Sequence, residues 1–253
     1  MGKIGDIEVS EEAGVRYLHF SSDWIQGAMR IARPWSLELD YTREMMSALL
    51  LHPEPAWPRR ALLIGLGAAS LTKFLHRHRP RCRMTVVEIE PQVVAAARQH
   101  FRLPEESTHL NIVIDDGVDY LLRDKRQYDL ILVDGFDADA RAGMLDSIPF
   151  YASCRPRLSG SGLLVVNLLS RRKDFRGSIA RLRQAFDDRA LAFPSCDSGN
   201  AIALAASGDK LRVGIEELRD NAKQLKRETG LDLSPMLARL EKTRLLNRGE
   251  LKL

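Results

Sequence analysis

Short apolar runs recur from Arg60 onward, at 61–64, 84–89, 110–114, 129–133 and 162–167, with two more at 188–193 and 201–206. Between them, apolar positions repeat at helical spacing over about 69–78, 91–101, 117–122, 146–157 and 174–186. Apolar strands alternating with amphipathic helices predict an α/β fold with a Rossmann-like, doubly wound and mainly parallel sheet. Ahead of it, Ile7-Glu8-Val9 and the run from Val15 to Phe20 alternate with period two around a Glu-Glu-Ala-Gly turn. Those strands are too short for a core of their own, so they read as a small N-terminal β domain capping the main one. One helix is expected over 39–51, halted at His52-Pro53, and a charged helical pair over 211–253, broken at Gly230 and Pro235. The expected organisation is a β cap with its linking helix over 1–52, a main domain over 53–207 and a helical extension over 208–253.

Composition narrows the class of protein. The 253 residues are 45% hydrophobic and 28% charged, with a net charge of +4 spread along the chain rather than gathered in a stripe, which argues against nucleic acid as a partner. Cys82, Cys154 and Cys196 are odd in number and lack CxxC or Cys/His spacing, so reduced thiols in a cytoplasm are expected, and no metal site. No apolar run reaches the roughly 20 residues that span a bilayer, and no signal-peptide pattern opens the chain; a cytoplasmic protein without a membrane partner is expected.

The strand ends carry the chemistry. The first strand breaks into Gly65-Leu-Gly67, a turn that lets backbone approach a ligand, with a helix N-terminus behind it. The second ends on Glu88, 23 residues after Gly65, where a carboxylate accepts hydrogen bonds from ribose hydroxyls. These two features fit a nicotinamide dinucleotide equally well. Asp115-Asp116-Gly117 at the third strand end shifts the balance: a carboxylate there accepts from an adenine amine, and the glycine leaves room for the ring. One of the two aspartates is also suited to capping the following helix. With Asp134 and Asp137 after the fourth strand, the site surrounds an adenosine with acids and offers no cation to a pyrophosphate. A cationic ligand such as an adenosyl sulfonium is favoured.

The ordered set Gly-Leu-Gly, Val-Val-Glu-Ile-Glu, Asp-Asp-Gly and Tyr-Asp-Leu-Ile-Leu-Val-Asp-x-x-Asp resembles the spermidine/spermine synthase family, the polyamine aminopropyltransferases, over roughly residues 15–207. The resemblance implies a fold like that of class I S-adenosylmethionine-dependent methyltransferases, a homodimer, and aminopropyl transfer from decarboxylated S-adenosylmethionine to an amine such as putrescine. It implies that Glu88 holds the ribose, Asp116 the adenine amine, and Asp134 and Asp137 the amine substrate, with Asp134 as the base. Gln26 and Tyr41 resemble residues that close the site from the other side. The chain departs from the family at the amine end. Ala68 stands where the family's first loop has the aspartate that grips the aminopropyl ammonium. Tyr41-Thr-Arg-Glu44-Met45 is one residue longer than the family's Tyr-x-Glu-Met, Ala138 replaces a proline, and Asn167 replaces a glutamine. Ala68 leaves two alternatives open: an S-adenosylmethionine-dependent methyltransferase, and a non-catalytic nucleoside-binding scaffold.

Overall fold

The computed structural model describes residues 7–20, 25–137, 140–196 and 198–253, which leaves Trp24 and Ala138 outside the described residues. Three antiparallel strands, β1 (Ile7–Glu12), β2 (Val15–Phe20) and β3 (Ile25–Arg30), form the cap. β3 was not expected, because Gly27 interrupts its alternation. The structure shows why glycine stands there: a Cβ on Gly27 would sit 2.6 Å from the Cβ of Ala68, so the cap strand lies directly on the Gly65–Gly67 loop. The expected single helix divides into α1 (Asp40–Met45) and α2 (Ala48–Leu51). At the break, Leu49 and Leu50 donate to the carbonyls of Met46 and Ser47, three residues back, which tightens the turn.

The main domain runs β4 (Arg60–Ile64), α3 (Ser70–His78), β5 (Arg83–Glu88), α4 (Pro91–His100), β6 (Leu110–Ile114), α5 (Gly117–Arg123), β7 (Tyr128–Val133), α6 (Ile148–Cys154), β8 (Leu158–Leu169), α7 (Phe175–Ala185), β9 (Ala190–Ala192) and β10 (Asn200–Ala206). Its seven strands are ordered β6-β5-β4-β7-β8-β10-β9, with β10 antiparallel to both neighbours. Strand order reverses between β4 and β7, which opens a crevice at their carboxyl ends. Leu63, Val86, Leu132 and Val165 bury into one face of the sheet, while Leu62, Val87, Ile131 and Leu164 bury into the other. Both faces are covered, so the strands read as continuous apolar runs. Truncating Leu63 to alanine would cost about 2–5 kcal/mol.

The tail adds β11 (Arg212–Gly214), α8 (Ile215–Thr229), α9 (Ser234–Leu240) and β12 (Glu250–Lys252). Gly230 ends α8 in the left-handed region at φ 78°, and Pro235 lies in the first turn of α9, so it starts that helix rather than breaking one. An ion pair from Arg239 to the buried Glu44 ties α9 to α1. Leu18 and Met29 of the cap, Leu63 of the sheet and Leu225 and Leu237 of the tail belong to one buried cluster, so the three parts share a core.

Candidate functional site

A cavity of about 750 Å³ opens at the switch point, between the carboxyl ends of the parallel strands and the cap. Gln26, Tyr41, Gly65, Gly67, Glu88, Asp116, Gly117, Asp134 and Asp137 all line it. Asp115 does not. Its Oδ1 accepts from the Asp116 amide at 2.9 Å and its Oδ2 pairs with Arg123, so it belongs to the outer surface of α5. Asp116 caps α5, its Oδ1 taking the Val118 amide at 2.7 Å and the Asp119 amide at 3.4 Å, and Oδ2 has no protein donor among the described residues. Capping and ligand binding are therefore compatible in this one residue.

Two glycines of the cavity wall also serve packing. Gly65 has φ 95°, and a Cβ there would lie 2.1 Å from the Asp134 carbonyl oxygen, so it lets the ends of β4 and β7 meet. At Gly117, which lines the cavity, a Cβ would lie 2.4 Å from the Ile64 side chain, so the glycine also makes room for packing of α5. Glu88 is buried. Its Oε2 accepts from the Leu66 amide at 2.8 Å and its Oε1 from the Glu90 amide at 3.0 Å, which pins the Gly-Leu-Gly turn to the end of β5. Burial raises its pKa and those amides oppose the rise. Each carboxylate oxygen has two lone pairs, so ribose hydroxyls can still be accepted.

Asp134 follows β7, and its environment is built from distant segments. Its Oδ1 accepts from the Asn167 amide at 2.8 Å, Asn167 accepts from Asn200 at 2.9 Å, and Asn200 accepts from the Ser198 hydroxyl at 2.7 Å. This chain of bonds orients each amide, so an NH₂ group faces Asp134. The Tyr41 hydroxyl also lies close enough to Asp134 to stabilise its charge. Burial raises the Asp134 pKa above the usual carboxylate range, and Asn167 and Tyr41 limit the rise. Tyr41 is likewise raised well above its ordinary value, by burial and by the Asp134 charge, so it stays a neutral donor. Asp137 shapes its own turn, accepting the Arg141 amide at 2.8 Å, and Arg172 donates to the Ala140 carbonyl at 2.9 Å across the same loop. Ser198 and Asn200 were missed. Their only trace in the sequence is the Ser-Gly-Asn turn between two apolar runs.

Among the described residues, seven carboxylates line the cavity, those of Glu38, Asp40, Glu88, Glu90, Asp116, Asp134 and Asp137, against one guanidinium, that of Arg141. A sheet of this order with an acidic cavity at its switch point defines a Rossmann-like transferase of the methyltransferase fold. A family model, the spermine/spermidine synthase domain, matches residues 39–189. The chain is 36% identical over 236 residues to a polyamine aminopropyltransferase of Neisseria meningitidis, covering 93% of this chain and 89% of that one. It is 35% identical over 246 residues to that of Chromobacterium violaceum, covering 97% and 93%. A spermidine synthase solved with the transition-state analogue AdoDATO superposes with a TM-score of 0.66 at 18% identity, covering 96% of this chain and 87% of that one. The chain belongs to the spermine/spermidine synthase family. By contrast, the eEF1A lysine and N-terminal methyltransferase homolog of Drosophila melanogaster is 28% identical over 178 residues, and the match covers 24% of that protein. Methyl transfer, the alternative that Ala68 left open, is not favoured.

Proposed function

We propose that this transferase moves the aminopropyl group of decarboxylated S-adenosylmethionine to a small diamine such as putrescine. The observation that carries the reading is the excess of carboxylates among the described residues lining the cavity, seven against one guanidinium, around the half-buried Asp134. A sulfonium with an ammonium tail and a diammonium acceptor are the kinds of ligand such a wall attracts. In this reading Glu88 accepts from the ribose and Asp116 from the adenine amine. The Gly65–Gly67 turn lies beside the nucleoside, with Gln26 and Tyr41 closing over it.

The amine arrives protonated, with a pKa near 10 like that of lysine. Ionised Asp134 takes one proton as the nitrogen lone pair attacks the carbon next to sulfur. The new carbon–nitrogen bond forms while the carbon–sulfur bond breaks, and methylthioadenosine leaves with the electron pair. The raised pKa of Asp134 makes it a stronger base than a solvent-exposed aspartate, and Asn167 holds it in place. Asp137 holds the far ammonium of the diamine. With alanine at position 68, the aminopropyl ammonium draws on the other carboxylates of the cavity.

The test is to incubate the protein with putrescine and either sulfonium and to follow the nucleoside product by chromatography. Methylthioadenosine formed only from the decarboxylated compound is the expected result. S-adenosylhomocysteine formed instead would overturn it. We also propose a homodimer in the cytoplasm. The open edges of the three-stranded cap give two copies a place to meet, and three free, buried thiols suit a reducing compartment. Light scattering of a monomer at micromolar concentration would remove the dimer.

A further inference from the structure

At the opposite end of the sheet from the acidic cavity, a second concavity of about 570 Å³ is lined by Arg59, Arg60, Arg81, Arg83, Gln127 and Asp129. Strand register gathers the arginines. β4 and β5 pair in parallel with Arg60 opposite Arg83, and the Arg83 amide donates to the Arg59 carbonyl at 2.8 Å. Arg81 precedes Arg83 by two residues, and the buried Cys82 and Met84 alternate with this pair on the inner side.

Like charges on neighbouring strands repel, and acids normally interleave with them. The one acid lining this concavity is already engaged. Asp129 Oδ2 accepts the amides of Arg59 at 2.8 Å and Arg60 at 3.1 Å, and its Oδ1 accepts the Ser159 hydroxyl at 2.8 Å. Among the described residues, none of the four guanidiniums forms an ion pair; Arg60 alone makes a hydrogen bond, to the Gln127 carbonyl at 3.4 Å. Arginines elsewhere, such as Arg98, Arg123 and Arg181, each hold a carboxylate.

We propose that this concavity binds a small oligophosphate, an anion carrying two or more phosphate groups. Guanidinium forks match phosphate oxygens, and several uncompensated forks around one hollow match several phosphates. Among the described residues no aromatic side chain lines the hollow to stack a base, which favours a phosphate chain over a nucleic-acid strand. The five residues of β4 separate it from the Gly65 turn by about 16 Å, so both ends of the sheet can be occupied together.

The test is titration calorimetry of the full chain with inorganic tripolyphosphate at fixed ionic strength, with and without saturating methylthioadenosine. The expected result is saturable one-to-one binding that the nucleoside does not change. R81A/R83A should weaken it by about tenfold or more. R176A/R227A removes the same charge from exposed arginines elsewhere and should leave affinity within about twofold. R81K/R83K keeps the charge and loses the forks, so it should fall between, and melting curves confirm that each variant folds. Equal losses in both alanine pairs would reduce the effect to general electrostatic attraction. Displacement by the nucleoside would move the anion to the acidic cavity, displacement by a short RNA at lower concentration would assign the surface to nucleic acid, and no saturable heat would remove the site.

Discussion

Replacing Asp134 by asparagine separates its chemical role from its structural one. Because Asn200 and Ser198 orient the Asn167 amide toward it, residue 134 must present an acceptor on that side. An asparagine meets the demand with its carbonyl oxygen and turns its NH₂ toward Tyr41, whose hydroxyl can reverse from donor to acceptor. The hydrogen-bond set survives and one negative charge disappears. Loss of a general base lowers kcat by about 10²–10⁴-fold, which corresponds to about 3–5 kcal/mol of barrier. Stability should move the other way. The folded-state pKa of Asp134 is raised, so its stabilising contribution is complete at low pH and is lost as pH rises through that value. The wild type loses that contribution as pH rises and D134N has no such charge to lose, so the variant should melt at the same temperature or higher, the more so at the higher pH. Methylthioadenosine release from decarboxylated S-adenosylmethionine and putrescine gives kcat, and calorimetry at pH 5 and pH 8 gives the melting temperatures. The acidic limb of the pH–rate profile should disappear with the carboxylate. D134N turnover within threefold of wild type would refute the assignment of Asp134 as base, and a large drop in melting temperature would refute the hydrogen-bond argument.

Asn200→Ala frees the Asn167 amide to flip and leaves its oxygen unpaired, at about 1–3 kcal/mol of stability. We expect kcat to fall about tenfold and the acidic limb to shift, with KM for the sulfonium unchanged; a changed KM alone would mean a simple packing role. Glu88→Gln presents an NH₂ group to one of the amides from Leu66 and Glu90, and calorimetry should show methylthioadenosine bound about 10–100-fold more weakly. Lys73 is buried with its Nζ 2.8 Å from the Phe101 carbonyl, and burial followed by the Arg102 charge lowers its pKa to about 7. Since that lies below the unfolded value, the folded state binds this proton less tightly, and stability should rise as pH increases from 7 toward 10. Lys73→Met should remove this slope and stabilise the protein more at pH 6 than at pH 10, as read by urea unfolding at the two pH values.

What was legible in the sequence follows the range of the interactions. β4 to β8 stand out because both sheet faces are covered and each strand is an unbroken apolar run. β3 hid behind Gly27, a residue chosen for contact with a loop some forty positions away. β11 and β12 escaped because Gly214 pairs with Glu250 across two helices, and three-residue strands have no period to detect. At the site, Glu88, Asp116 and Asp134 announce themselves at strand ends. Which of Asp115 and Asp116 faces the cavity depends on the cap geometry of α5, and the two residues look alike in sequence. Asn200 reaches Asn167 only because β10 runs antiparallel beside β8, a pairing no local pattern encodes.

The contact between Gly27 and Ala68 bears on which changes this chain can absorb. Ala68 is 2% exposed and the cap strand occupies the space beside it. An aspartate placed at position 68 would share the edge of the cavity with β3, where Gly27 has no room even for a Cβ beside Ala68. The two positions are therefore coupled, and a larger side chain at either one must be accommodated by the other. A variant library that varies 68 and β3 together samples combinations that changing either one alone does not.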